Sequence, residues 1–288
     1  MYPAPFEYFR PATIDEAIAL LQTHGEDAKI LAGGHSLIPA MKLRLAQPRY
    51  IVDIGRIRGM NHIRETAGRI VVGAMATHDS IERSALLREK CPLLPETAGH
   101  IGDVQVRNKG TIGGSLAHAD PGADLPAVML ALDAQIVATS AKGSREIAAA
   151  GFFKDVFTTA LEPDEVLTEI RVPVLGPATG SAYLKFPNPA SRYAIAGVAA
   201  VLQVQGGSVA SVGVALTGAS GTVTRLTGVE QELHGRGFDA GGLAKAAARA
   251  AEGWEPQQDL HASADYRRHL ARVMTRRALD AAVARAQG

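Results

Sequence analysis

The 288-residue chain has one cysteine, Cys91. A single thiol closes no internal disulfide and holds no iron–sulfur cluster unaided. Cys91 therefore reads as a buried small hydrophobe. Charge of one sign is also missing: 30 Lys and Arg face 29 Asp and Glu, a net charge of +1. That balance gives no footprint for nucleic acid. No apolar run is long enough to span a bilayer. The uncharged stretch from Tyr193 to Thr224 comes nearest, but Gln203, Gln205, Gly206 and Gly207 interrupt it, well short of about 20 apolar residues. It reads as two strands joined by a turn at Gly206 and Gly207. The opening, Met1 to Glu7, has neither a basic nor an apolar leader region, so a soluble cytoplasmic protein is the expectation. There is no internal repeat, no low-complexity tail, no nucleophile–base pair and no metal-ligand spacing. No catalytic residue and no metal ligand is assigned.

What is present is ordinary globular composition, 47% hydrophobic and 20% charged, at a length that can bury more than one core. Two glycine stretches stand out. Lys29-Ile-Leu-Ala-Gly-Gly-His-Ser-Leu-Ile-Pro39 begins as an apolar strand and breaks at Gly33 and Gly34. Arg107 to Pro126 carries Gly110, Gly113 and Gly114, then Asp124 in a Pro- and Gly-rich loop. Glycine permits positive φ and leaves no Cβ in the way of an incoming group, and successive N–H groups in such a turn form an anion-binding nest. Backbone N–H groups of Gly33 to Ser36 and Gly113 to Ser115, with the hydroxyls of Ser36, Thr111 and Ser115, suit a ligand carrying a diphosphate. Neither stretch reads G-x-G-x-x-G, and neither ends in Gly-Lys-Ser/Thr, so a dinucleotide-binding Rossmann unit and a P-loop are both excluded. Asp124 either accepts from sugar hydroxyls or stabilises its own turn. His35 and His118 read as hydrogen-bonding turn residues. His118 with Asp120 and Asp124 is rejected as a metal site, because nothing else converges there.

The remaining pattern outlines an α+β chain. Thr13-Ile-Asp-Glu16 predicts a capping box opening a helix that stops at Gly25. Strands are expected over Ala28–Leu31, Tyr50–Ile54, Ile70–Ala74, Gln135–Thr139, Arg145–Ile147 and Val166–Val172. Helices are expected over Pro39–Leu43, from Thr77 or Asp79 through Leu87, and over Pro92–Ile101 and Pro126–Leu132. Phe152, Phe153 and Phe157 read as an aromatic core cluster. Pro173 to Thr179 is the best linker. Beyond it Ala182–Phe186, Ala194–Gln205 and Val209–Leu216 predict an antiparallel sheet, followed by helices over Leu243–Ala251 and Asp265–Ala284. In the last helix Tyr266, Leu270 and Val273 are expected on one face, with Arg267, Arg268, Arg272, Arg276 and Arg277 on solvated faces. The expected division is 1–58 and 59–175, two subdomains around the glycine stretches, then 176–288.

Ala32-Gly-Gly-His-Ser-Leu-Ile-Pro39, Thr111-Ile-Gly-Gly-Ser115 and Asp120-Pro-Gly-Ala-Asp124, in that order, closely resemble the FAD-binding medium subunit of molybdenum hydroxylases. The likeness is to the aerobic carbon monoxide dehydrogenase branch, with xanthine dehydrogenase more distant. It extends to Phe6–Pro11, Glu165–Pro173 and Tyr266–Leu270. The resemblance implies a two-subdomain FAD-binding fold of the vanillyl-alcohol-oxidase type plus a C-terminal antiparallel sheet with helices. It carries cofactor contacts onto Ile30, Leu31, Ala32, Gly33, Gly34, His35, Ser36, Leu37, Ile101, Thr111, Ile112, Gly113, Gly114, Ser115, Asp124, Leu167 and Lys185. Tyr193 either lines the flavin pocket or packs in the core, and Lys185 either sits near the flavin or on the surface. Many relatives have Asn or Asp where Ser115 stands, and serine reaches less far. The resemblance further implies a large molybdopterin subunit and a small subunit with 2Fe-2S clusters, assembled as a dimer of heterotrimers. The complex would pass electrons through FAD to a quinone or NAD, in the cytoplasm or at the inner face of the membrane. The competing readings are a self-sufficient flavin oxidase or dehydrogenase and a non-enzymatic nucleotide-binding module.

Overall fold

A computed structural model describes residues 2–288; Met1 lies outside them. The first stretch is a small parallel sheet. Strands β1 (Glu7–Phe9), β2 (Ala28–Leu31) and β3 (Tyr50–Asp53) are ordered β1-β3-β2, all parallel. Helix α1 (Ile14–His24) joins β1 to β2 and buries Ala17, Ile18 and Leu21. Its capping box is displaced by one residue. Thr13 Oγ1 accepts from Glu16 N as expected, but Glu16 Oε2 accepts from Ala12 N (2.7 Å), not from Thr13. Helix α2 (Leu37–Lys42) follows the first glycine stretch.

The second stretch surrounds an antiparallel sheet. Strands β4 (Ile63–Thr66), β5 (Arg69–Gly73), β6 (Gln135–Ser140), β7 (Gly143–Ala148) and β10 (Val166–Pro173) are ordered β4-β5-β10-β6-β7. Between β7 and β10 lie helix α9 (Ala149–Phe152) and the hairpin β8 (Phe153–Asp155) with β9 (Thr158–Thr159). The helix expected from Thr77 to Leu87 is two helices, α3 (His78–Arg83) and α4 (Ala85–Lys90), because Ser84 breaks the first and caps the second. Then come α5 (Leu93–Gly99), the short α6 (Val104–Arg107), α7 (Ile112–His118) and α8 (Leu125–Ala131). Every residue of α8 is buried. Cys91 is fully buried, and burial pushes its thiol up to about 12. Phe152 and Phe153 meet edge to face at 5.1 Å, but Phe157 is 55% exposed and leans on His118 instead. The expected three-ring cluster is a pair.

The third stretch is a four-stranded antiparallel sheet, β11 (Thr179–Pro187), β12 (Ala194–Gln205), β13 (Ser208–Thr217) and β14 (Thr224–Arg225), in sequence order. Helices α10 (Thr227–Leu233), α11 (Ala240–Ala248) and α12 (Ala264–Gln287) follow. One face of the sheet packs on α12 so closely that a Cβ on Gly180 would fall 1.8 Å from Ala282 O; the other approaches α8, where a Cβ on Gly213 would meet Ala131 O at 2.2 Å. In α12, Leu270 is buried and Val273 half-buried, but Tyr266 is exposed. Arg267, expected on a solvated face, is 3% exposed: it donates to Ile195 O and Gly218 O and pairs with Asp259.

The main glycine stretch is a helix start rather than a turn between strands. Thr111 is the N-cap of α7, and Gly113 and Gly114 are in its first turn. Glycine is required at Gly113 for close approach: a Cβ there would fall 2.6 Å from Ala74 Cβ and 2.7 Å from Ala74 O, beside the hydrogen bond from Gly113 N to Ala74 O (2.9 Å). Gly113→Ala is expected to cost about 1–3 kcal/mol, as overpacking does, measured by urea unfolding; an unchanged midpoint and slope would refute the tight seat of α7 on Ala74.

Candidate functional site

The two glycine stretches touch. A Cβ on Gly33 would lie 2.1 Å from Lys109 O and 3.0 Å from Gly110 Cα, and one on Gly114 would lie 3.7 Å from Ala32 Cβ. Only a bare backbone fits at Gly33. The loop after β2 and the start of α7 thereby become two walls of one cleft of about 510 Å³, within the usual range for small-molecule sites. Ile30, Ala32, Gly33, Gly34, His35, Ser36, Leu37, Ile101, Thr111, Gly113, Gly114, Ser115, Asp124, Leu167 and Tyr193 line it. Leu31, Ile112 and Lys185 are not part of the lining. Leu31 ends β2 with its side chain toward Gly34, Ile112 is fully buried in the core, and Lys185 lies behind Asp124.

The walls differ in what they offer. Among the described residues, the N–H groups of Gly33, Gly34, His35, Ser36 and Leu37 have no acceptor in the chain, and Ser36 makes no side-chain cap for α2. Such a run of unmet donors is the chemistry an anion needs. The N–H groups at the start of α7 are already spent. Ile112 N donates to Ala76 O, Gly113 N to Ala74 O, Gly114 N to Thr111 Oγ1 and Ser115 N to Thr111 O. The expected pair of nests is therefore one donor loop facing a glycine-floored helix, which supplies room and the Ser115 and Thr111 hydroxyls.

Asp124 is 5% exposed and fully engaged. Tyr183 donates its hydroxyl to Oδ1, Lys185 Nζ donates to Oδ2 at 2.8 Å, and the same ammonium reaches His100 O at 3.1 Å. The Lys185 side chain is 3% exposed, so the surface alternative for it is wrong. Burial pushes the Asp124 carboxyl up, while Lys185 and then Tyr183 pull it back. Burial and the adjoining carboxylate drive the Tyr183 hydroxyl well up. Asp124 thus neither bonds its own turn nor has an oxygen free of protein donors. Tyr193 is 42% exposed, so it is a cleft-mouth residue rather than a core one. Burial raises its phenol above the ordinary value and the Ser36 hydroxyl lowers it.

His35 Nδ1 lies 3.2 Å from Gly33 O, a turn contact. His118 tilts on Phe157, and Asp120 Oδ1 accepts from Gly122 N. Among the described residues no group of three or more His, Cys, Asp or Glu stands close enough to hold a metal ion.

Sequence reading missed several lining residues. Glu165 lines the cleft, and Arg145 grips it through two bonds of 2.6 and 2.8 Å that hold its carboxyl below the usual range. Arg192 also lines the cleft, at a left-handed φ of 60°. His78 lines it beside Gly110. No spacing marks these three; they arrive through the folding of β10, the loop before β12 and the start of α3.

Comparison with known proteins agrees with this geometry. Residues 4–175 match the family model "FAD binding domain in molybdopterin dehydrogenase", and residues 181–282 match "CO dehydrogenase flavoprotein C-terminal domain". The chain is 44% identical to the carbon monoxide dehydrogenase medium chain of Hydrogenophaga pseudoflava over 99% of both chains. It is 42% identical to that of Afipia carboxidovorans over 100% of both. A solved structure of the Hydrogenophaga pseudoflava carbon monoxide dehydrogenase, lacking the Mo-pyranopterin moiety of its cofactor, superposes with a TM-score of 0.97 at 44% identity, covering 99% of each chain.

Lys185→Met strands a buried carboxylate at the cleft wall and is expected to cost about 3–5 kcal/mol, whereas an apolar replacement of both members of such a pair is often near neutral. Urea unfolding of Lys185→Met and of the double variant Asp124→Leu with Lys185→Met checks this. Equal losses in the two would show that packing, not the unpaired charge, sets the cost.

Proposed function

The chain belongs to the FAD-binding medium-subunit family of molybdenum hydroxylases, and we propose that it serves there as the electron-transfer subunit of a heterotrimer, holding FAD between the iron–sulfur clusters of a small partner and an external acceptor such as a quinone or NAD. The chain is part of an oxidoreductase, as its dehydrogenase relatives are. The observation that carries the finer reading is the run of five N–H groups without acceptors, Gly33 to Leu37, in a cleft closed by backbone contact with Lys109. A diphosphate is an acceptor-only group that such a loop can hold without a dedicated lysine.

FAD supplies the redox chemistry when bound, and the protein supplies binding, orientation and electrostatics. The loop Gly33–Leu37 would take the diphosphate, and the Ser115 and Thr111 hydroxyls would add side-chain donors. Asp124, held by Lys185 and Tyr183, would present a fixed acceptor to a sugar or ribityl hydroxyl. Tyr193 at the mouth would cover one side of the site, and Leu167 and Ile30 would give it apolar walls. Lys185 would act at one remove, as a buried positive charge behind Asp124. The lone Cys91 supports placing the iron–sulfur clusters on the small subunit, and the molybdenum cofactor and substrate choice belong to the large one.

The same reading takes 1–58 and 59–175 as the two flavin-holding subdomains and 176–288 as the C-terminal unit, supported by the three consecutive sheets. It places the assembly, a dimer of heterotrimers, in the cytoplasm or against the inner face of the membrane. No helix among the described residues is long and apolar enough to cross a membrane.

The purified complex is expected to show an oxidised-flavin spectrum that bleaches when substrate reaches the large subunit. The isolated chain loaded with FAD is expected not to bleach with the same substrate. A complex without flavin would refute the proposal; direct bleaching of the isolated chain would favour a self-sufficient oxidase.

A further inference from the structure

His78 is 5% exposed, yet it lines the cleft. Among the described residues its Nδ1 is sealed from solvent without a hydrogen-bond partner, while Nε2 is not sealed in this way. With Nδ1 sealed in, Nε2 is the ring nitrogen that a ligand in the cleft can reach. The ring edge that carries Nε2 faces Gly110: a Cβ there would meet His78 Cδ2 at 2.7 Å and Nε2 at 2.9 Å. Gly110 also backs Gly33, whose missing Cβ would lie 3.0 Å from Gly110 Cα. The open imidazole edge is therefore next to the contact that creates the donor loop. The backbone fixes it there, since His78 N donates to Gly110 O at 3.0 Å and Thr77 bridges to Thr111.

We propose that His78 is a cofactor-binding residue whose Nε2–H donates to a phosphoryl oxygen of the diphosphate held by the Gly33–Leu37 loop. This rests on the flavin reading above and extends it to a third element, the start of α3. The imidazole is neutral in the empty cleft, because burial first, and then His35 and Arg107, bring its pKa down to about 4. A neutral ring has one N–H to give. The same neighbours favour an anionic acceptor. Arg107 brings a guanidinium to this corner, paired with the carboxylate of Glu82 at 2.7 Å. A phosphoryl oxygen would give Nε2–H an acceptor, while the sealed Nδ1 would stay unpartnered.

The experiment uses the whole complex stripped of FAD and retitrated with FAD, read by quenching of flavin fluorescence and by ³¹P resonances of the bound cofactor. His78→Ala is expected to raise Kd about tenfold to a hundredfold, the range for a hydrogen bond to a charged group, and to move a diphosphate resonance. His78→Gln, which restores a donor, is expected to recover part of both effects. Thermal unfolding of the stripped variants separates binding from folding. A lower melting temperature with unchanged Kd would overturn the assignment in favour of a packing role. A raised Kd with unmoved ³¹P resonances would overturn the phosphoryl contact. If the purified unaltered complex carries no FAD to strip, the flavin reading itself falls and takes this assignment with it.

Discussion

Main chain lies directly on main chain where Gly33 meets Lys109 and Gly110. No side chain of any size fits between them, so the spacing of the cleft walls is set by backbone atoms rather than by rotamers. The loop after β2 belongs to the small parallel sheet, and α7 belongs to the stretch around the antiparallel one. Their contact turns the edges of two sheets that share one core into a single cleft. It also leaves the loop N–H groups facing open space while the first turn of α7 closes on Ala74 and Ala76. One wall offers open backbone donors and the other room with two hydroxyls, and that asymmetry makes the cleft suited to a long ligand with one strongly negative segment.

Asp124 performs the corresponding service for the third sheet. Its carboxylate sits at the start of α8, and its partners Tyr183 and Lys185 alternate along β11. Taking an acid and a base out of water is expensive, and such pairs seldom add net stability. They do specify register: a slip of β11 by one residue would turn both donors to the other face. Lys185 also holds His100 O, next to the cleft-lining Ile101. The pair therefore fixes the position of the C-terminal sheet against the cleft, a role of specificity rather than of strength.

Much of this was legible in the chain. The strand at Ala28–Leu31 running into Gly33, the cap at Thr13, the hairpin at Gly206–Gly207 and the long last helix follow from local patterns that long-range packing does not override. The glycine-rich stretch after Arg107 was legible as a place of close approach, but not as a helix. Its first turn is helical because Thr111 caps it and Ala74 seats it, and the second partner is distant in sequence. Ser84 cut one expected helix into two because a serine that can cap a helix also interrupts one. Arg267 was assigned to a solvated face because arginine is ordinarily solvent-facing; its buried place is dictated by the carbonyls of Ile195 and Gly218, which only tertiary structure brings together. His78 and Glu165 carry no spacing signal at all, since each reaches the cleft from an element whose own pattern is unremarkable.

The C-terminal sheet is pressed between α12 on one side and α8 on the other, with Gly180 and Gly213 marking the nearest approaches. Tyr183, Ala199 and Ala215 belong to the same buried cluster as α8 and the five-stranded sheet. A chain truncated after β10 would keep nearly every residue that lines the cleft, yet it would lose the sheet that closes on Ala131 of α8 and both donors to Asp124. The cofactor-holding part and the tail are thus separate in sequence but share buried packing.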